Sequence, residues 1–248
     1  MIAGGEAYTG AALLACTAAV TAGAGMVRYV GTPTPEALVR SAVPEAVHGV
    51  GRVQAWVIGP GLDVTSRATG AKAQLDAASD ALGSDLPVVI DAGGLALVTG
   101  KRSAPTLLTP HAGECARLLS RLDDGDDITR DAVESAPLRH ARRLAELTGA
   151  TVLLKGSTTL VVPAEAGAAV WSQADAPAWL ATAGAGDVLT GICGVLLAAG
   201  LAPDEAGALG ALVHGVAAER ANPGGPVRSF DVAHAIGGAV SALLRRAR

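Results

Sequence analysis

The apolar residues of this chain fall into short unbroken runs, separated by longer Ala-rich stretches. Runs at 26–30, 56–58, 87–90, 106–108 and 151–154 have the length of strands, and none alternates with polar residues. Strands that are apolar on both faces belong to a mostly parallel sheet covered on both sides. Helical stretches are predicted over 65–82, after Glu114, over 129–148 with a break at Pro137, and over 203–221 and 230–246. An earlier Ala-rich helix opens at Tyr8-Thr9-Gly10-Ala11 and stops near Gly23-Ala24-Gly25. A short helix is expected over 35–40. The first strand is a stub at 1–3, and 159–162 with 168–171 reads as a hairpin. No repeat or low-complexity linker interrupts the pattern. It predicts one α/β domain over 1–248 with a truncated first strand.

The stretch Leu180-Ala-Thr-Ala-Gly-Ala-Gly-Asp-Val-Leu-Thr-Gly191 organises the rest. A glycine turn feeds an almost uncharged helix predicted over 188–199. Free N–H groups at a helix start favour anions such as phosphate. Asp187 at that start has two readings. It is a helix cap, or it is a base that takes a proton from a hydroxyl about to receive a phosphoryl group.

Composition narrows the classes of partner. Half of the 248 residues are hydrophobic but only 2% are aromatic, so the core is built from Ala, Val, Leu and Gly. The net charge of −4 without a basic block argues against nucleic acid and against a membrane surface. The uncharged run 7–27 is long enough to span a bilayer, but its Ala, Gly and Thr content and its lack of basic flanks make it a buried helix. Cys16, Cys115 and Cys193 are far apart and form no CxxC pair, which indicates a reducing, cytoplasmic setting without structural zinc. The acidic stretch 123–127 reads as a solvated loop, because its spacing does not suit a calcium loop.

Several unusual turns close strands at one predicted sheet edge, where ligands gather in such folds. They are Gly59-Pro60-Gly61, Asp91-Ala92-Gly93, Pro110-His111 and Lys155-Gly156. Lys155-Gly156-Ser157-Thr158-Thr159 offers a cation, close backbone approach and hydroxyls to an anion, or is an ordinary turn with a solvated lysine. Neither a P-loop nor a Rossmann fingerprint is present. His111 and Glu114 share a helix start. They either meet a ligand or a magnesium shell, or form a cap with a favourable first-turn acid. Asp91 orients a hydroxyl or a magnesium-bound water, or makes a strand-end turn.

Taken together, these segments resemble the ADP/ATP-dependent NAD(P)H-hydrate dehydratases of the ribokinase-like superfamily. The resemblance rests on Tyr8-Thr9-Gly10-Ala11 with Ala22-Gly23-Ala24-Gly25, Ile58-Gly59-Pro60-Gly61-Leu62, Asp91-Ala92-Gly93, Leu108-Thr109-Pro110-His111-Ala112-Gly113-Glu114, Leu154-Lys155-Gly156 through Thr159, and Gly184-Ala185-Gly186-Asp187-Val188-Leu189-Thr190-Gly191. These occur in family order over nearly the whole chain.

The resemblance implies a ribokinase-like three-layer αβα fold and a repair reaction. Hydrated NADH or NADPH, as the S-epimer, is phosphorylated on its ring hydroxyl by ADP or ATP. Phosphate then leaves and the double bond returns, ADP becoming AMP and phosphate. By likeness, Asp187 is the base and Gly184, Ala185 and Gly186 supply the anion hole. Lys155, Gly156, Ser157, Thr158, Thr159 and Gly186 meet the nucleotide. Ala11, Gly61, His111 and Asp187 meet the coenzyme, and Glu114 helps order Mg2+. A homotetramer and a partner NAD(P)H-hydrate epimerase are also implied.

The anion turn reads Ala-Gly-Ala-Gly-Asp where the family commonly has Gly-Gly-Thr-Gly-Asp, so a threonine hydroxyl is lost while the backbone donors remain. The thin first strand suggests a trimmed piece, and no epimerase domain is read in it. Two competitors are a ribokinase-like kinase of a small vitamin-precursor alcohol and a nucleotide-binding regulator without turnover. His111 favours the dehydratase, since such kinases usually carry Asn there.

Overall fold

The structure, a computed structural model, describes residues 1–123 and 127–246, so most of the acidic stretch lies outside the described residues. α1 (Thr9–Thr21) leads to β1 (Val27–Tyr29), α2 (Pro33–Ala42) and β2 (Ala46–His48). Next come β3 (Trp56–Ile58), α3 (Ala71–Gly83), β4 (Val88–Ile90), a 3-10 turn at Ala92–Leu97 and β5 (Thr106–Leu108). α4 (Ala112–Leu122), α5 (Arg130–Ser135) and α6 (Pro137–Thr148) precede β6 (Thr151–Leu154). β7 (Thr159–Val162) and β8 (Trp171–Gln173) are followed by a 3-10 turn at Ala178–Leu180, then α7 (Ala185–Ala198), α8 (Pro203–Ala221) and α9 (Ser229–Arg246).

The main sheet runs β3-β4-β5-β6-β7-β8. Its first four strands are parallel, and β7 and β8 close it as antiparallel strands. Alternate side chains of each strand face opposite layers. Ile58, Ile90 and Leu108 pack with α3, α4 and α6 on one side. Val57, Val89, Leu107 and Leu153 pack with α1 and α7 on the other. α9 and α8 cover the outside of α1 and α7 through Val213, Ala217, Val232 and Ile236. This is the expected three-layer αβα arrangement, with the strand runs buried on both faces because both faces carry helices.

Small residues let the layers approach closely. A Cβ on Gly191 of α7 would lie 2.4 Å from the Ala15 carbonyl oxygen of α1, and one on Gly194 would lie 2.3 Å from a Val57 methyl. The uncharged run 7–27 thus forms α1 and the turn into β1, with most of the inner face of α1 buried. Among the described residues no helix is long and apolar enough to cross a membrane.

Several elements differ from the sequence pattern, α2 by only two residues at each end. The helix expected from residue 65 begins at Ala71. The Asp63 carboxylate captures the Thr65 amide and hydroxyl, and the Ser66 hydroxyl captures the Ala68 amide, so this segment closes local turns instead. β2 was not foreseen, being three residues with one exposed side chain. The second hairpin strand lies at Trp171–Gln173, since Thr159 pairs with Gln173. The helix expected from 188 starts at Ala185, which places Asp187 inside its first turn. The stub at 1–3 provides one bridging residue: Ile2 pairs with both Val30 and Ile58 and joins the small β1-β2 sheet to the main one.

Candidate active site

The turns singled out in the sequence meet at the carboxyl edge of β3 to β6. Gly59 follows β3 and packs against the backbone of Asp91, which follows β4. Thr109-Pro110-His111 follows β5, and the Lys155 amide donates to the Pro110 carbonyl at 2.8 Å after β6. The start of α7 closes the site from the other layer.

A charged cluster occupies the centre. Asp91 is 1% exposed. Its Oδ1 accepts from the Lys155 ammonium at 2.7 Å, and its Oδ2 lies 2.7 Å from the Thr190 hydroxyl. That hydroxyl is also 2.8 Å from the Gly186 carbonyl, so its single proton serves one of the two. Glu114 Oε2 lies 3.7 Å from Lys155 Nζ. A Cβ on Gly186 would sit 3.1 Å from Lys155 Nζ, so the ammonium rests against the anion turn. Burial disfavours the charged lysine, but Asp91, Glu114 and Asp187 outweigh it and hold its pKa above the usual value.

Asp187 has the opposite balance. Burial and the neighbouring Asp91 and Glu114 raise its pKa to about 7, against the lowering influence of Lys155. A carboxyl near 7 is half ionised at neutral pH, which suits a proton acceptor. Its side chain makes no capping bond: the N-cap is Gly184, at φ 84 in the left-handed region that glycine tolerates. A side chain on Gly184 would also meet Leu14 Cδ1 at 2.4 Å.

The first amides of α7 are only partly used. The Ala185 amide donates to the Thr182 carbonyl at 3.3 Å. The Val188 amide returns to the Gly184 carbonyl at 3.2 Å. Among the described residues the amides of Gly184, Gly186 and Asp187 have no hydrogen-bond partner. They form the free donor set at this helix start.

His111 and Glu114 form a capping box at the start of α4. Nδ1 of His111 accepts from the Gly113 and Glu114 amides at 3.0 and 3.3 Å, and Glu114 Oε2 accepts from the His111 amide at 2.9 Å. The capping reading is therefore realised. With Nδ1 accepting, the ring proton sits on Nε2, and the half-exposed ring can offer it to a ligand. Ala11 and Gly61 are in close approach: a Cβ on Gly61 would lie 2.7 Å from that of Ala11. Gly156, Ser157 and Thr158 form an exposed turn between β6 and β7, with Thr159 half-buried at the start of β7.

Among the described residues no group of three or more His, Cys, Asp or Glu is placed to hold a metal ion alone. The donor set nonetheless fits magnesium of the nucleotide-borne kind. Three carboxylates face one lysine, leaving net negative charge, and Mg2+ commonly takes one or two carboxylates and fills its shell with phosphate oxygens and water. Glu114, partly engaged by the capping box, suits a water of that shell.

A family model described as NAD(P)H-hydrate dehydratase matches residues 1–232. The chain belongs to the NAD(P)H-hydrate dehydratase family. It is 34% identical over 236 residues to the ADP-dependent (S)-NAD(P)H-hydrate dehydratase of Neisseria meningitidis, covering 88% of this chain and 75% of that one. It is 44% identical over 238 residues to the bifunctional NAD(P)H-hydrate repair enzyme Nnr of Mycobacterium leprae, covering 90% of this chain and 46% of that protein. The chain thus spans less than half the length of such bifunctional relatives.

The ADP/ATP-dependent NAD(P)H-hydrate dehydratase of Bacillus subtilis, crystallised with ATP/Mg2+, superposes with a TM-score of 0.81 at 26% identity, over 97% of this chain and 87% of that one. A hydroxyethylthiazole kinase of Pyrococcus horikoshii, at 16% identity and a TM-score of 0.60, shares the fold alone.

In this cluster sequence reasoning singled out Asp187, Asp91, Lys155, His111 and Glu114, and the fold brings them together. It missed the bonds that organise the cluster, Lys155 to Asp91 and Thr190 to Asp91. The available signal was spacing: Thr190 is three residues after Asp187 and four after Gly186, on one helical face. Apart from the cluster, His214 of α8 is buried with Nε2 unpartnered; burial, then Lys155, pushes its pKa down to about 4.

Proposed function

We propose that the chain catalyses nucleotide-dependent dehydration of the S-epimer of hydrated NADH or NADPH. The observation that carries this reading is Asp187, poised near neutrality in the first turn of α7, beside free amides and the Lys155 ammonium. Asp187 takes the proton of the ring hydroxyl as its oxygen attacks the terminal phosphoryl of ADP or ATP. The free amides at the start of α7 receive the phosphoryl oxygens, with Lys155 offering positive charge next to them. Phosphate is a better leaving group than hydroxide, so its departure with loss of a ring proton restores the double bond. With ADP the products are NAD(P)H, AMP and phosphate. Magnesium, held through Glu114 and nucleotide phosphates, would neutralise charge on those phosphates.

The Lys155–Thr159 turn and Gly186 are the proposed nucleotide contacts. Ala11, Gly61 and His111 are the proposed coenzyme contacts. The reaction belongs in a reducing cytoplasm, in keeping with three free buried cysteines. A tetramer and an epimerase acting on the other epimer complete the reading, the latter in line with the bifunctional relatives.

The test uses purified hydrated NADH, magnesium and either nucleotide, reading the near-ultraviolet absorbance of reduced nicotinamide. A rise that requires ADP or ATP is expected. A stable phosphate ester in place of restored coenzyme would establish the kinase reading.

His111 separates structure from binding. His111→Ala removes the cap and is expected to lower stability by about 1 kcal/mol in chemical denaturation. His111→Asn keeps a capping acceptor and is expected to preserve stability while raising KM for the hydrated coenzyme. An unchanged KM in both variants would remove His111 from the substrate site.

A further inference from the structure

The Asp91–Lys155 pair poses a question of purpose. A buried ion pair is a poor stabiliser, because desolvation offsets most of the attraction, and an apolar pair of similar volume commonly does as well. Lysine in a phosphate-binding turn ordinarily gains by being free to follow its ligand. Here it is drawn inward instead.

We propose that Asp91 and Thr190 are positioning residues that hold the Lys155 ammonium against Gly186, so that the cation stands beside the phosphate cradle before nucleotide arrives. Three contacts carry the inference. Lys155 Nζ is 2.7 Å from Asp91 Oδ1. Asp91 Oδ2 is 2.7 Å from the Thr190 hydroxyl, whose proton, given to that oxygen and not to the Gly186 carbonyl at 2.8 Å, holds the carboxylate plane from α7 itself. A Cβ on Gly186 would be 3.1 Å from Lys155 Nζ and 3.6 Å from Asp91 Oδ2, so pair and turn are in contact through the space that glycine leaves. Asp91 and Thr190 are both buried, so each acts through its neighbour, Thr190 on Asp91 and Asp91 on Lys155. A cation fixed in advance avoids the ordering cost that a solvated lysine meets on binding phosphate. Because Thr190 belongs to the helix that carries the free amides, cation and amides are set by one rigid element.

This inference rests on the nucleotide-dependent reading above, and its test separates the two. Magnesium-ATP is titrated calorimetrically into the wild-type protein, Asp91→Asn, Lys155→Met and the double variant. Lys155→Met is expected to weaken binding at least tenfold and Asp91→Asn three- to tenfold. The double variant is expected to bind no worse than Lys155→Met, since Asp91 has nothing left to position. Effects that multiply in the double variant would overturn the proposal, as would wild-type affinity in Asp91→Asn. A wild-type protein that binds no nucleotide would overturn the underlying reading, and this proposal with it.

Thr190 gives an independent arm that survives if Asp91→Asn does not fold. Thr190→Ser keeps the hydroxyl and loses a methyl; Thr190→Val keeps the volume and loses the hydroxyl. Positioning requires Val to weaken nucleotide binding more than Ser does. Pure packing requires the reverse order, and that order would sink the idea.

Discussion

Asp187→Asn is expected to lower turnover by about 10²–10⁴-fold while the protein still folds and binds nucleotide, because a positioned general base contributes that much. The amide keeps the size of the carboxyl but cannot take the hydroxyl proton. The free amides of α7 and the Lys155 ammonium are untouched by the change, so magnesium-ATP affinity should stay within a few-fold of wild type. Calorimetry and the absorbance assay on one preparation decide the point. Retained turnover would remove Asp187 from the proton transfer, and a binder without turnover in the wild type would leave only the regulatory reading.

The same carboxyl is expected to set the pH dependence of turnover. Its pKa is raised to about 7 by burial, then by Asp91 and Glu114, so the reactive ionised form accumulates as pH rises through 7. The acid limb of kcat/KM should therefore bend near neutrality. Stability moves the other way. An unfolded aspartate ionises near about 4. Between there and about 7 the unfolded chain has lost the proton that native Asp187 still holds, so stability falls with rising pH across that window and stays reduced above it. Asparagine escapes this loss. Asp187→Asn should be more stable than wild type above pH 7, by up to about 4 kcal/mol, and equal to it below pH 4. A variant that loses turnover yet gains stability marks a residue kept for chemistry.

How much of this was legible in the chain depends on the range of the cause. The strand runs were readable because burial on both faces removes alternation, so Trp56-Val57-Ile58 or Val88-Val89-Ile90 can be little else. The edge where the turns converge followed from the parallel order. The start of α3 was not readable, because Asp63 and Ser66 bond to nearby amides in competition with the helix. β2 was hidden because its partner β1 lies across a helix and its own three residues carry no pattern. In the site, residue types gave the candidates but not their pairing. Lys155 taken alone read better as a solvated turn residue. Its burial against Asp91, 64 positions earlier, is a fact of sheet order and not of local sequence. Likewise Asp187 as a cap and Asp187 as a base differ only in surroundings, and the surroundings come from β4 and α4.

Gly59→Ala is expected to be among the most damaging glycine-to-alanine changes of the described residues. Gly59 follows β3 with φ 123, a backbone region closed to side chains. An added Cβ would lie 1.8 Å from the Asp91 carbonyl oxygen and 2.7 Å from the Gly94 amide. Both are backbone atoms, so no rotamer change relieves the clash. The Asp91 amide also donates to the Ile58 carbonyl at 3.0 Å, and the Gly94 amide to the Asp91 carbonyl at 2.9 Å, so relief requires giving up turn bonds. Strain and lost bonds together should cost more than about 3 kcal/mol, which in a domain of this size lowers Tm by about 6–12 °C or more.

Gly83→Ala, at the end of α3 with nothing within 4 Å of its Cβ, is the matched control and should change stability by less than about 1 kcal/mol, in the favourable direction. The damage should reach the chemistry as well. Moving the Asp91 backbone moves the carboxylate that holds Lys155, so the folded fraction of Gly59→Ala should show lowered kcat and weakened nucleotide binding together. A Gly59→Ala protein that melts within a degree or two of Gly83→Ala would mean that β3 and β4 do not interlock at this turn, and the positioned lysine would then lack its foundation.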